Sequence, residues 1–142
     1  MVRVFLIIFL LCINSLYAQE NKYMNECEDE SLITTGNSPE EIPIFDKDSQ
    51  DPQRLHNFLL ENLRYPKMAI KDKIEGRIYI KFWIDTAGYT HNHRIIKGVR
   101  EDLDREALRV AKLIKFDEPA KTRGKPVGYC FFMVIPFNLP EK

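Results

Sequence analysis

From Gly76 the chain alternates strictly. Ile78, Ile80, Phe82 and Ile84 are apolar, and Arg77, Tyr79, Lys81 and Trp83 separate them. That period of two predicts a strand with one face on a core and the other partly wet. Asp85-Thr86-Ala87-Gly88 reads as a turn, with Gly88 suited to a positive φ. A second, more polar strand is expected from about Tyr89 to Val99.

Helical spacing replaces alternation on either side of this hairpin. Leu55, Phe58, Leu59 and Leu63 make one apolar face, and Asp51-Pro52 supplies a cap and a residue fitted to the first helical position. The helix must end near Arg64, because Tyr65 precedes Pro66 and is biased to extended geometry. Pro66 can open a short second helix, with Met68, Ala69 and Ile70 available for packing. Leu103, Ala107, Val110, Ala111 and Ile114 predict the main helix, capped by Asp102 or Asp104. Phe82 and Phe116 are expected in the core.

Thr122 to Pro126 (TRGKP) reads as a turn, and Val127 to Leu139 as the last strand. Tyr129, Phe131, Met133, Ile135 and Phe137 line one face of it, and Cys130, Phe132 and Val134 the other. Pro136 has no N–H for a ladder, which places this strand at a sheet edge or a bulge.

The N-terminal pattern differs. Val4 to Ile13 is an apolar run of ten residues behind Arg3, with Ala18 before a cleavage point at Gln19. Residues 1–18 therefore read as a signal peptide. A membrane-retained anchor is the competing reading, but Asn14 breaks the run well short of the roughly 20 apolar residues that span a bilayer. Cys12 follows Leu11, too bulky for a lipoprotein site. Residues 19–41 hold seven Asp+Glu against one Lys and few apolar residues, so they read as a flexible acidic leader. Ile42 to Phe45 is a short extended piece expected to dock on the domain, which runs over 42–142.

Charge excludes one class of function. The signal carries only Arg3, so the exported chain has 20 Lys+Arg against 21 Asp+Glu, and this balance gives no footprint for nucleic acid. Export places the protein in an oxidising periplasm. Cys27 and Cys130 remain there, read here as two unpaired thiols, with one disulfide open as the alternative.

Candidate chemistry is sparse. His91 and His93 stand two apart on a strand, hence on one face, and such a pair can hold a metal only with a third ligand. The reading preferred is two solvated histidines. No phosphate loop, nucleophile elbow or Cys-His pair with motif context occurs, so neither an enzyme, a cofactor, a metal site nor a small-molecule substrate is inferred. Tyr79 and Trp83 share the wet face and leave an interface open there.

The ordered set of pieces resembles a known family, the C-terminal domain of TonB energy transducers in its shorter Bacteroidetes-type form. Tyr65-Pro66 and Ala69 come first, then Gly76 before the alternating strand, Asp85 with Gly88, and Leu103-Asp104 with Ala107. Phe116, Pro119-Ala120, Gly124, Pro126-Val127 and a closing Pro136-Phe137 follow, so the resemblance covers about residues 42–139. It implies an α+β fold, a small antiparallel three-stranded sheet packed against helices. It also implies a module that binds rather than catalyses, capturing the TonB box of an outer-membrane TonB-dependent receptor by strand addition during transmembrane transport. The implied contact residues are Tyr65 and Pro66, where the receptor approaches, and Tyr129, Cys130, Phe131, Phe132, Met133 and Val134 on the edge strand. For Tyr65 and Pro66 the competing role is simply to end one helix and start another. The chain departs from a full transducer in its spacer. The 32 residues between the signal and Asp51 reach about 110 Å at full extension and roughly 30 Å as a coil. A stand-alone envelope protein that pairs with itself as a homodimer, or with another partner through the same edge, is the alternative.

Overall fold

The structure is a computed structural model, and it describes residues 38–49 and 51–139. The segment expected to be a signal peptide and most of the expected acidic leader lie outside the described residues. The elements are α1 (Arg54–Asn62), α2 (Lys67–Lys71), β1 (Gly76–Ile84), β2 (Thr90–Lys97), α3 (Glu101–Ala111), β3 (Lys121–Thr122), β4 (Lys125–Pro126) and β5 (Tyr129–Phe137). Among the described residues β2, β1 and β5 form one antiparallel sheet in that order, and β3 pairs with β4 in a small hairpin. This is the α+β architecture expected, with β1 central and β5 at an edge.

β1 is central, pairing antiparallel with β2 on one side and β5 on the other. Ile78, Ile80, Phe82 and Ile84 are fully buried, as the alternation requires. Leu103, Ala107, Val110 and Ala111 of α3 close the core over them, with Phe116 joining just past the helix. Met133, Ile135 and Phe137 complete it from β5.

The first helix starts later than its capping signal suggests. Asp51 accepts the Gln53 N–H at 2.8 Å and the Asn57 side-chain amide at 2.8 Å, while its carbonyl accepts the Arg54 N–H at 3.0 Å. Asp51 thus builds a turn through Pro52 and Gln53, and the helix begins beyond it. In α2, Ala69 is buried, but Met68 and Ile70 are exposed rather than packed. The α3 start also differs. Its N-cap is Arg100, whose guanidinium bridges Asp102 and Asp72, both at 2.7 Å. Asp102 accepts the neighbouring Leu103 N–H as well as the Arg100 guanidinium, and Asp104 accepts the Val99 N–H at 2.9 Å. Both carboxylates still face the positive end of the helix dipole.

β2 contains two irregularities. Between the Lys81–Arg94 and Trp83–His91 pairs, Asn92 and His93 oppose the single residue Phe82, and Asn92 sits at φ 54°. A second shift lies beside Ile80 and Ile95. Such bulges make this edge a poor template for another strand.

The Ile42–Phe45 piece docks as expected. Ile44 donates to the Glu118 carbonyl at 2.9 Å, and the Phe45 ring lies 5.0 Å from Phe58 and 6.1 Å from Phe116. Glu40 and Glu41, the last residues of the acidic leader, also bond to the small hairpin, at the Arg123 N–H and at Lys121.

A candidate docking edge

The direction of each peptide group along β5 follows from the β1–β2 turn. Asp85 donates its N–H to the Tyr89 carbonyl at 2.9 Å and accepts the Gly88 N–H at 3.1 Å, so its peptide groups face β2. Gly88, at φ 85°, makes that tight return possible. Peptide direction alternates along a strand. β1 and β5 pair without interruption from Gly76–Phe137 to Ile84–Tyr129. Ile84, Phe82, Ile80 and Ile78 therefore face β5, and their partners Tyr129, Phe131, Met133 and Ile135 face back. The N–H and C=O groups of Cys130, Phe132 and Val134 point away from the sheet. Pro136, which has no N–H, falls in the same outward set.

The six β5 candidates thus divide by face. Met133 is 8% exposed and belongs to the core, so its side chain is not available to a partner. Phe131 stacks on Phe82 at 5.4 Å and packs on Phe116 at 5.3 Å, and Tyr129 is half-buried beside it. Phe132 and Val134 are 46% and 42% exposed on the outer face. Cys130 lies on that face too and is disulfide-bonded, which corrects the reading of an unpaired thiol. Cys27 lies outside the described residues.

Tyr65 is held within the fold. Its hydroxyl donates to the Ile74 carbonyl at 2.5 Å, and its ring stands edge-on to Phe137. Burial, and then the charge of Glu75, push the hydroxyl pKa above its usual value. Pro66 is extended, at φ −62° and ψ 131°, and serves as the N-cap of α2. Both residues therefore have the helix-stop and helix-start roles that the sequence offers, at the end of the sheet where Phe137 closes β5.

The outer face holds two corrections. Trp83 is buried, 8% exposed, so it offers no surface platform. A side chain at Gly128 would begin 2.0 Å from the Trp83 ring, so only glycine lets the chain pass there. The histidine pair is also divided. Asn92 supplies the extra residue that turns His91 outward, opposite Trp83, and leaves His93 on the core side, 5.0 Å from the Phe82 ring. The two rings cannot share one metal on a common face. His91 instead bonds Asp85 at 2.8 Å. Burial would raise the Asp85 carboxyl, but His91 and the Ala87 and Tyr89 N–H groups outweigh it and hold the pKa low.

A further anchor was not legible in the sequence. Glu106 pairs with Arg109 at 2.7 Å and accepts the Arg64 N–H at 2.7 Å, while Arg109 donates to the Asn62 carbonyl at 2.7 Å. These bonds satisfy the frayed end of α1 and fix the approach to Tyr65.

Among the described residues no helix is long and apolar enough to cross a membrane. Residues 61–139 match the family model described as the Gram-negative bacterial TonB protein C-terminal. Protein TonB of Vibrio cholerae serotype O1 is 34% identical over 77 residues, 54% of this chain and 31% of that protein. The chain thus aligns with about a third of its relative's length. The solution structure of the Helicobacter pylori TonB C-terminal domain superposes with a TM-score of 0.51 at 24% identity, over 63% of this chain and 95% of that one, and shares its fold. With the family model spanning more than half of the 142 residues, the chain belongs to the Gram-negative bacterial TonB C-terminal family.

Proposed function

We propose that this chain is an exported partner-binding module that takes up an extended segment, the TonB box, of an outer-membrane receptor by strand addition along β5. It works in support of TonB-dependent transport, and its activity is binding rather than catalysis. The observation that carries the reading is the outward set of peptide groups at Phe132 and Val134 on a nine-residue edge strand. Unpaired edge groups are a hazard unless they are used, and a partner strand supplies both the missing bonds and alternate side-chain contacts. The other sheet edge is bulged, so β5 is the better template. Residues proposed to contact the partner are Phe132 and Val134 through side chain and backbone, Cys130 beside them, and Tyr65 and Pro66 at the Phe137 end. Tyr129, Phe131 and Met133 act from behind by holding the strand flat.

Isolation of partners from envelope extracts with the exported domain as bait tests the reading. Enrichment of outer-membrane receptors, lost on competition with a synthetic TonB-box peptide, is expected. Recovery of a second copy of this chain alone would replace receptor capture with self-pairing.

A further inference from the structure

Residues 39–46 lie on the domain as a strap, lightly held. The strap builds no ladder and pairs through two isolated bridges, Glu41 with Lys121 and Ile44 with Glu118. Ile42 and Ile44 are 70% and 43% exposed. Pro43 is buried and Phe45 half-buried, and these two carry the strap's apolar contact. Asp46 pairs with Arg54 and Glu41 with Lys121 near the surface, where an ion pair contributes little. A segment with so few buried apolar groups opens more readily than the core sheet.

Two routes lead from the strap to the first half of β5. One is a line of rings. Phe45 lies 6.1 Å from Phe116, Phe116 lies 5.3 Å from Phe131, and Phe131 stacks on Phe82. Phe131 stands between Cys130 and Phe132, whose peptide groups point outward, so whatever fixes Phe131 also fixes the direction of its neighbours. The other route is the backbone. The Ile44 carbonyl accepts the Asp117 and Glu118 N–H groups at 2.9 and 3.1 Å, and the Glu41 carbonyl accepts the Lys121 N–H at 3.0 Å. Residues 117–121 lead into the β3–β4 hairpin, and only Val127 and Gly128 separate that hairpin from β5. Lifting the strap therefore takes a ring neighbour from Phe116 and the acceptors of three N–H groups from the segment ahead of β5.

We propose that residues 39–46 are a latch on the β5 edge. Seated, the strap holds residues 129–133 flat for a partner strand. Lifted, it lets that half of β5 loosen and lowers partner affinity, a regulation that rests on the strand-addition reading above. The strap is the two-state element that such a coupling needs. Coupling of this kind is reciprocal. A strand added to β5 fixes Phe131 and, through Phe116, favours the seated strap. The effect is also local. β5 keeps its pairing to β1 when the strap lifts, and its far end stays closed by the contact of Tyr65 with Phe137.

Amide hydrogen exchange on the exported full chain tests the latch. Phe45→Ala should speed exchange of the Tyr129, Phe131 and Met133 amides, which face β1, by about fivefold or more. The Ile135 and Phe137 amides and those of β2 should keep wild-type rates. Ile42→Ala, at the most exposed strap position, should change none of them. An unchanged Phe131 amide, or equal acceleration across the whole sheet, overturns the latch. Where Phe45→Ala fails to fold, Phe45→Leu keeps most of the bulk and should speed the same three amides by less. Titration with a synthetic TonB-box peptide then tests the regulation. Phe45→Ala should bind it about fivefold more weakly than wild type, and saturating peptide should slow the Asp117, Glu118 and Lys121 amides of wild type. Equal affinities overturn the regulation. A peptide that binds neither form ends the strand-addition reading, while exchange at β5 still decides whether the strap holds the edge.

Discussion

The Tyr65 ring meets Phe137 edge-on, with centroids 5.5 Å apart and planes at 88°. One residue stands before α2 and the other ends β5, so this contact ties the Tyr-Pro segment to the edge strand. Phe137 is fully buried and Tyr65 is half-buried. Tyr65→Phe keeps the ring contact and loses the bond to the Ile74 carbonyl, a loss of about 0.5–1.5 kcal/mol. Phe137→Ala should cost about 3–5 kcal/mol. Urea melts separate the two, and comparable midpoint shifts would mean that the hydroxyl, not the ring, carries the contact.

The two faces of β1 should respond differently. Phe82 is fully buried against Phe116, Phe131 and His93, whereas Arg77 is exposed on the outer face. Phe82→Ala should cost about 3–5 kcal/mol, a large part of the 5–15 kcal/mol that holds a typical domain together. Arg77→Ala should cost under about 0.5 kcal/mol. Equal shifts in denaturant midpoint would show the faces assigned wrongly.

Much of this fold was legible because β1 alternates without exception and α3 repeats at helical spacing. Those patterns report burial, and burial is what the core rewards. The bulge at Asn92 was not legible. Asn tolerates a positive φ, but nothing in Thr-His-Asn-His-Arg shows that an extra residue is needed, so alternation placed both histidines on one face. Trp83 was misplaced for a related reason. Its cover depends on Gly128, far along the chain, which leaves room only because it has no side chain. Of the candidate site, the edge position of β5 was readable from Pro136, but the outward direction of Phe132 and Val134 required the register with β1. Gly128→Ala tests the Trp83 contact. It should destabilise by about 1–3 kcal/mol through overpacking, with a changed tryptophan emission, and an unperturbed protein would refute the close approach.

His93 makes stability depend on pH. Burial, helped by the charge of Lys112, lowers its pKa to about 4 from 6.5, against a backbone bond at Ala111 and with a small further push from His91. Its Nε2 is buried with no hydrogen-bond partner among the described residues. The unfolded chain therefore takes up the proton first. The stabilisation is full above pH 6.5 and is lost as pH falls from there to about 4. Urea midpoints measured at pH 7 and pH 4.5 should fall more steeply for wild type than for His93→Gln. Parallel declines would assign the acid sensitivity to the carboxylates instead.

Proline substitution tests the docking edge itself, because it removes an N–H from the ladder while leaving most of the chain unchanged. The outward set predicts where it is tolerated. Phe132→Pro and Val134→Pro remove N–H groups that bond nothing in the sheet, just as the native Pro136 does two positions further on. Met133→Pro removes one that bonds β1, so it should unfold the domain or greatly weaken it. Phe132→Ala removes the exposed side chain and keeps the backbone donor. At least one of the two outward variants should stay folded by circular dichroism and lose binding to a receptor peptide by about tenfold or more, while Phe132→Ala keeps most of it. Unfolding of both outward variants with a stable Met133→Pro would mean that the peptide directions are reversed. If both outward variants fold and bind like wild type, backbone bonds along β5 do not hold the partner, and docking must use side chains elsewhere on the domain.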